Sequence, residues 1–283
     1  MLAVKAYAKI NLTLSVGRKR LDGYHELESV MQQLALHDLL EFVISEEDIS
    51  LTTENTQVPA GSDNLIVRAA ELLRRHTGCL WGARIHLTKN ILVAAGLGGG
   101  SADAAATLIG LNSLWGLGLS MDKLMEWGAR LGSDVPFCLF GGTALARGRG
   151  EVLERLPEAP PMGVVLVKPA FSVSTAGAYR MFDDLPEPEA FDAQKMVEGL
   201  RDGGIEQIAE ALHNDLERAT FTMHPELQLI KDDLWKAGAS GILMAGSGPT
   251  IFGLAPSTDE AQEIADRLLS TEVGVWVTST AAI

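Results

Sequence analysis

The residues that decide the fold are the glycine-rich stretch Ala95-Gly96-Leu97-Gly98-Gly99-Gly100-Ser101-Ala102. Residues 83–93 before it are predicted to form a strand, and residues 101–114 after it an alanine-rich helix with Ser101 as its cap. Backbone N–H groups that crowd together at the start of a helix form a pocket for phosphate, to which the Ser101 hydroxyl can add a contact. The alternative is a flexible turn that only needs positive φ angles.

Other known phosphate loops fit this stretch poorly. A P-loop needs a lysine directly after the glycines, and a dinucleotide-binding loop needs a glycine where Ser101 stands. The chain also has no His-Arg-Asp catalytic loop and no Asp-Phe-Gly triplet, which excludes a protein kinase. The sequence therefore predicts a different nucleotide-binding design.

A second glycine cluster, Gly246-Ser247-Gly248-Pro249-Thr250, lies between two apolar runs that are typical of strands. It would allow the backbone to come close to a ligand or to the first glycine loop. A tight turn in the second half of the chain explains the same pattern, so both interpretations stay open at this point.

Two charged residues stand among small and apolar neighbours. Lys9 lies within Ala8-Lys9-Ile10-Asn11-Leu12, and Asp134 lies within Gly132-Ser133-Asp134-Val135-Pro136. A buried unpaired charge costs several kcal/mol, so such residues usually pair with each other or serve chemistry. The alternatives are a solvated strand lysine and an aspartate that caps a turn.

Composition limits the classes of function. The net charge is −14, which gives no general attraction to nucleic acid or to anionic membranes. Cys79 and Cys138 form no CxxC pair, and the histidines have no metal-ligand spacing, so we expect neither a disulfide framework nor a metal site built from protein alone. The first residues lack the apolar core and cleavage site of a signal peptide, which predicts a cytoplasmic protein.

The order of predicted elements indicates an α+β protein of two domains. Residues 64–76 have helical spacing, with Asp63 or Asn64 as a cap, and residues 4–16 read as one strand. A proline-rich segment near residue 156 precedes a new strand and marks a boundary. We therefore predict an N-terminal domain over residues 1–155 and a C-terminal domain over residues 156–283.

Together these motifs resemble the galactokinase, homoserine kinase, mevalonate kinase and phosphomevalonate kinase superfamily, and in particular its branch that phosphorylates a cytidylyl sugar alcohol. The resemblance is carried by the segments quoted above and by Asp22-Gly23-Tyr24-His25 and Asp63-Asn64-Leu65-Ile66. It implies a ribosomal-protein-S5-domain-2-like N-terminal domain, a ferredoxin-like C-terminal domain and an active site in the cleft between them. It also implies ATP as phosphoryl donor, with Mg²⁺.

The resemblance further assigns roles to individual positions. Asp134 would be the general base for the acceptor hydroxyl and Lys9 its charge partner, which favours the carboxylate form and offsets charge on the developing alkoxide. The residues implied for ATP are Asn64, Leu65, Lys89, Leu92, Val93, Ala94, Ala95, Gly96, Leu97, Gly98, Gly99, Gly100, Ser101 and Ala102. Those implied for the cytidylyl substrate are Asn11, Tyr24, His25, Thr175 and Tyr179. The ring faces of Tyr24 and Tyr179 are expected to sandwich the cytosine.

Two departures from the superfamily pattern affect details. Leu92-Val93-Ala94-Ala95 replaces a proline- and glycine-rich entrance to the loop, and Met31 stands where an aromatic residue is common. A homoserine or mevalonate type of kinase is the first alternative, against which the Asp22-Gly23-Tyr24-His25 segment argues. A non-catalytic nucleotide-binding protein is the second, which the retention of Lys9 and Asp134 disfavours. We expect a monomer or a weak homodimer.

Overall fold

The computed structural model describes residues 1–186, 188, 191–202, 204–268 and 273–281. The strands are β1 (Leu2–Asn11), β2 (Thr13–Lys19), β3 (His25–Ser45), β4 (Ile49–Thr53), β5 (Gly82–Thr88), β6 (Thr143–Gly148), β7 (Val152–Arg155), β8 (Gly163–Pro169), β9 (His213–Asn214), β10 (Gly241–Met244), β11 (Ile251–Ala255) and β12 (Val273–Ser279). The helices are α1 (Leu65–Thr77), α2 (Gly99–Leu114), α3 (Met121–Gly128), α4 (Val135–Phe140), α5 (Thr175–Asp183), α6 (Gln194–Asp202), α7 (Ile205–Glu210), α8 (Asp215–Met223), α9 (Leu227–Ala237) and α10 (Thr258–Arg267).

These elements form two compact units, and both mix helices with strands, as predicted. The first unit contains Met1–Lys9, Leu36–Val93 and Gly98–Gly141, and the second contains Ile10–Ala35, Ala94–Leu97 and Gly142–Ile283. The chain therefore passes between the units several times, and β3 contributes its first half to the second unit and its last half to the first. The boundary near residue 156 stays a prediction.

In the first unit, the last half of β3 pairs antiparallel with β5, which pairs in parallel with β4. Helix α2 packs on α1, α3 and α4. The alanines and glycines of α2 also let it come close to the sheet. A Cβ atom added to Gly110 would lie 2.6 Å from the ring of Phe42 on β3. The middle of α2 therefore lies against β3 at a position where only glycine fits.

The second unit contains an antiparallel sheet of order β10-β11-β8-β12. Helices α8, α9 and α10 supply apolar residues to the core that covers it, including Leu216, Leu234 and Ile264. In the same unit, the first half of β3 pairs antiparallel with β2 and β6, and β2 pairs in parallel with the short strand β9.

Two strand predictions were too long. The strand predicted over residues 4–16 is interrupted at Leu12, whose N–H bonds to the Val30 carbonyl at the break between β1 and β2. The strand predicted over residues 83–93 ends at Thr88. There the carboxylate of Asp38 accepts the backbone N–H groups of Asn90 and Ile91, which turns the chain away from the sheet.

Candidate active site

Helix α2 begins at Gly99, two residues earlier than predicted. Its N-cap is Gly98, with φ of 70°, and no side chain caps the first turn. The prediction that Ser101 caps the helix was therefore wrong: glycine can adopt the left-handed conformation that starts the helix, which places Ser101 inside the first turn. The first N–H groups of α2 receive no hydrogen bond from a capping side chain, so they suit an anionic ligand.

Lys9 and Asp134 form the ion pair that the sequence predicted. Lys9 Nζ lies 3.2 Å from Asp134 Oδ2. Asp134 immediately precedes α4, but its side chain does not cap that helix, which leaves the carboxylate to Lys9. The lysine stem runs beneath the glycine loop, since a Cβ atom on Gly98 would lie 3.0 Å from Lys9 Cγ. The loop, the ammonium and the carboxylate therefore lie side by side.

Asn64 and Leu65 lie close to the start of α2. Asn64 is the N-cap of α1 and accepts the Ile66 N–H at 2.8 Å, which confirms one of the two caps predicted. A Cβ atom on Gly100 would lie 3.5 Å from Leu65 Cδ1. The start of α1 thus lies beside the start of α2, as expected if both lined one nucleotide site.

Lys89 is held by two carboxylates that sequence reasoning missed. Its Nζ lies 2.6 Å from Asp38 Oδ2 and 2.6 Å from Asp103 Oδ2, and all three side chains are buried. Burial raises the pKa of Asp103 to about 7; Lys89 opposes this shift and Asp38 adds to it. Asp103 had one signal in the sequence, because it is the single carboxylate in the small and apolar run from Gly96 to Trp115.

Within the second unit, the second glycine cluster lies against Ala94–Leu97, the first part of the glycine loop. A Cβ atom on Gly96 would lie 2.1 Å from the Ala245 carbonyl oxygen, so no other residue fits at position 96. Asn214 supports the cluster by donating to the carbonyls of Met244 and Gly246. The close approach that the sequence allowed is therefore present. Leu92 and Val93 precede this contact and are half-buried, while Ala94 has the unusual φ of 52°.

The residues implied for the acceptor all belong to the second unit, where they make separate contacts. The His25 ring stacks on Tyr179, with centroids 5.2 Å apart, and its Nε2 lies 2.7 Å from Asp183 Oδ1. Thr175, at the start of α5, shares a hydrogen bond with Ser247. Asn11 donates to the Ser29 hydroxyl, and the exposed ring of Tyr24 lies under the Arg149 guanidinium.

These contacts bear on the expected cytosine sandwich. One face of Tyr179 is occupied by His25 and one face of Tyr24 by Arg149, so a base cannot stack on either of these faces unless the present partner moves. Asp183 was not predicted from the sequence. The hydrogen bond from Lys19, and then that of His25, holds the pKa of Asp183 below its usual range. Met31, where an aromatic residue is common, is fully buried in β3.

The described residues lack two kinds of feature. They contain no group of three or more histidine, cysteine, aspartate or glutamate side chains arranged to hold a metal ion. Within the described part of the chain, every helix is too short or too polar to cross a membrane.

Comparisons with known proteins identify the family. Residues 64–142 match the model of the GHMP kinases N terminal domain, and residues 196–273 match that of the GHMP kinases C terminal domain. The 4-diphosphocytidyl-2-C-methyl-D-erythritol kinase of Pelotomaculum thermopropionicum is 54% identical over 99% of this chain and 98% of its own.

Solved structures agree. A crystal structure of 4-(cytidine 5'-diphospho)-2C-methyl-D-erythritol kinase superposes with a TM-score of 0.83 at 36% identity, covering 99% of this chain and 100% of that one. Homoserine kinase from Cytophaga hutchinsonii has a TM-score of 0.76 at 20% identity, over 99% and 95% of the two chains, and shares the fold. With a glycine loop at a helix start, a buried lysine paired with a partly exposed aspartate, and relatives of this kind, the chain belongs to the GHMP kinases and is a small-molecule kinase.

Proposed function

We propose that this chain transfers the γ-phosphoryl group of ATP to the 2-hydroxyl of 4-diphosphocytidyl-2-C-methyl-D-erythritol, in the non-mevalonate route to isoprenoid precursors. The products are the 2-phosphate and ADP. The observation that carries the proposal is the 54% identity, over nearly the whole of both chains, to a relative named for this substrate.

Asp134 is the general base of the proposed reaction. An alcohol is a weak nucleophile, so a carboxylate that removes its proton as the phosphoryl group arrives lowers the barrier. The carboxylate keeps 36% of its side-chain surface exposed although its partner Lys9 is buried, so an acceptor hydroxyl can reach it. Lys9 supplies fixed positive charge beside the alkoxide and beside the transferring group.

The nucleotide is held by the start of α2 and the residues around it. Its phosphates bind the uncapped N–H groups that follow Gly98, where the helix dipole also favours negative charge. The adenosine lies toward Asn64 and Leu65, beside Gly100. The Lys89 ammonium is already paired with two carboxylates. Lys89 therefore contributes to this site by fixing the path of the glycine loop.

Mg²⁺ accompanies the nucleotide in this proposal. Since the described residues contain no metal-binding group of three, the site fits a cation that takes its ligands mainly from phosphate oxygens and water. When bound, Mg²⁺ neutralises charge on the β- and γ-phosphates. The residues of this chain then orient the γ-phosphoryl group toward the acceptor.

The cytidylyl acceptor is placed on the second unit, at Tyr24, His25, Tyr179, Thr175 and Asn11. Stacking on aromatic rings tolerates any base, so a choice of cytosine must come from hydrogen bonds. The His25 ring already contacts Asp183 through Nε2 and Tyr179 through its face. In this proposal the base is recognised by the His25 backbone or by its Nδ1.

A panel of acceptors tests the proposal. ADP release is measured with the cytidylyl conjugate, its uridylyl analogue, mevalonate and homoserine. The proposal expects kcat/KM for the cytidylyl conjugate to exceed that for the uridylyl analogue by at least about a hundredfold, because a mismatched base leaves buried polar groups unpaired. Preference for homoserine or mevalonate would overturn the proposal. An absence of ADP release with all four acceptors would favour a non-catalytic role.

A further inference from the structure

Three charged side chains are buried together beneath the first turn of α2. Lys89 is 4% exposed, Asp38 is 0% exposed and Asp103 is 6% exposed. A Cβ atom on Gly99 would lie 3.1 Å from Lys89 Nζ. The cluster is therefore in direct contact with the helix end to which the phosphates are assigned, although none of its members is needed for the phosphoryl transfer itself.

The two carboxylates of this cluster are bonded differently. Asp38 accepts three N–H donors, from Lys89 and from the backbone of Asn90 and Ile91, so a proton has no acceptor to bond there. Asp103 accepts from Lys89 through Oδ2, but its Oδ1 is buried without a hydrogen-bond partner among the described residues. A proton on Asp38 would displace one of these donors, whereas a proton on Oδ1 of Asp103 displaces none, so Asp103 is the one that can carry it.

The protonation of Asp103 decides the charge beneath the helix. With both carboxylates ionised, the cluster carries one net negative charge; with Asp103 protonated, it is neutral. Three other titratable groups close by in this unit add no net charge. Lys9 and Asp134 form a neutral pair, and burial raises the pKa of the Cys138 thiol, which therefore stays uncharged. A net negative charge close to a triphosphate opposes its binding.

We propose that Asp103 is a positioning residue that carries a proton when the triphosphate is bound, and that this proton sets the affinity of the helix start for the nucleotide. The proton is taken up from solvent as the phosphates arrive and released when they leave. The inference rests on the nucleotide-binding part of the proposed function but not on the identity of the acceptor.

Calorimetric titration with a non-hydrolysable ATP analogue tests the proposal. The parent and Asp103→Asn are titrated between about pH 6 and about pH 9, in pairs of buffers with different heats of ionisation. Asparagine keeps an oxygen that accepts from Lys89 but cannot titrate. Proton uptake near pH 8 should be larger for the parent than for Asp103→Asn, and the parent should lose about fivefold to tenfold more affinity over this range. The phosphates of the analogue titrate equally in both, so the difference isolates Asp103.

A matched control removes a carboxylate of the same unit at a distance. Asp122, exposed in the first turn of α3, is changed to asparagine. Asp122→Asn should take up as many protons as the parent and show the same pH dependence. An equal effect of Asp103→Asn and Asp122→Asn would mean that only the total charge matters, which would overturn the proposal.

Thermal unfolding without nucleotide gives an independent readout. The pKa of Asp103 is higher in the folded than in the unfolded chain, so the folded protein binds the extra proton and loses stability as pH rises from about 4 to about 7. Asp103→Asn should therefore have a higher Tm than the parent near pH 8, and the difference should shrink toward pH 4. A variant less stable than the parent at every pH would contradict a protonated Asp103.

The two readouts separate the inference from the proposed function. If neither protein binds the analogue while the pH-dependent Tm difference is present, Asp103 titrates in the folded chain, but the nucleotide assignment fails and the proposed link to affinity fails with it. If both bind it with equal proton uptake and equal pH dependence, the nucleotide assignment stands and the inference is overturned.

Discussion

Lys9 Nζ lies 3.2 Å from Asp134 Oδ2, and the lysine side chain is 5% exposed whereas the aspartate is 36% exposed. The pair is therefore asymmetric: the cation is enclosed by the protein and the carboxylate opens to solvent. A substrate can therefore reach the carboxylate, while the ammonium is held in place beside that carboxylate.

Replacing Asp134 by asparagine tests the role of the carboxylate. We expect Asp134→Asn to lower kcat by about a hundredfold or more, the range for removal of a general base, with little change in nucleotide affinity. Saturating kinetics and calorimetry with an ATP analogue are the measurements, and Asp122→Asn is the control for loss of one charge. Near-parental kcat would remove Asp134 from the mechanism.

Replacing Lys9 by methionine tests the role of the ammonium. Methionine keeps much of the stem that packs beneath Gly98 and removes the charge. We expect Lys9→Met to fold with a Tm close to that of the parent, while kcat falls by about a hundredfold to a thousandfold because a fixed charge at the reacting group is lost. Lys5→Met, on the exposed part of the same strand, should leave kcat unchanged. A parental kcat for Lys9→Met would show that the charge is not used.

The glycines of the loop differ in what surrounds them. Valine at Gly98 or Gly99 would occupy the space that we assign to the phosphates, but it would also meet protein atoms. In the structure, a side chain at Gly98 would press on Lys9 and one at Gly99 on Ile91 and Lys89, and Gly98 also has positive φ. Both variants should therefore lose stability as well as affinity.

Gly100 gives the cleaner test of nucleotide binding. A Cβ atom there would meet only Leu65, at an ordinary contact distance of 3.5 Å. We expect Gly100→Val to change Tm by less than about 4 °C while weakening binding of an ATP analogue at least about tenfold, because the side chain enters the space between Leu65 and the helix start. Unchanged affinity would place the nucleotide elsewhere. Ser113→Val, at an exposed position of the same helix, controls for the added valine.

The contact of His25 with Asp183 should appear in the pH dependence of stability. Hydrogen bonds from Lys19 and His25 lower the pKa of Asp183 in the folded state, so their contribution to stability is present above the unfolded pKa and is lost as pH falls below about 4. Asp183→Asn should lower stability at neutral pH by less than about 1 kcal/mol, because Asp183 is partly exposed. Chemical unfolding at several pH values measures this, and a difference that persisted at about pH 3 would contradict the assignment.

The ring of Tyr179, which stacks on His25 in the second unit, should contribute to binding of the acceptor. We expect Tyr179→Ala to raise KM for the cytidylyl conjugate by about tenfold to a hundredfold, the loss of one base–aromatic stack, with a smaller effect on kcat. Tyr7→Ala, which removes a ring that packs on His37 in the first unit, is the control. An unchanged KM in Tyr179→Ala would remove that ring from the acceptor site.

Sequence reasoning succeeded where the cause is local. Asn64 was found as a possible cap because its side chain bonds within its own turn, and contact between the two glycine segments was one of the interpretations left open because glycines allow it. The pairing of Lys9 with Asp134 was implied by the resemblance, and the cost of a buried unpaired charge supported it for Lys9. The cap at Ser101 was wrong because a left-handed Gly98 starts the helix earlier.

The residues that were missed act over long separations in the chain. Asp38 binds Lys89 across 51 positions and ends β5, and Asp183 binds His25 across 158 positions. In the sequence Asp38 follows His37 and Asp183 precedes Asp184, and nothing in either segment names the partner. Such contacts depend on how β3, the glycine loop and α5 are placed, which no local pattern specifies.

The measurement that tests the proposed reaction most directly is the structure of its product. ATP and the cytidylyl sugar alcohol are incubated with the parent protein and with Asp134→Asn, and the products are examined by phosphorus and carbon NMR. The account predicts ADP and a phosphomonoester on the 2-hydroxyl in equal amounts with the parent, and almost none with the variant. A phosphate on another hydroxyl, or ADP with an unchanged acceptor, would contradict it.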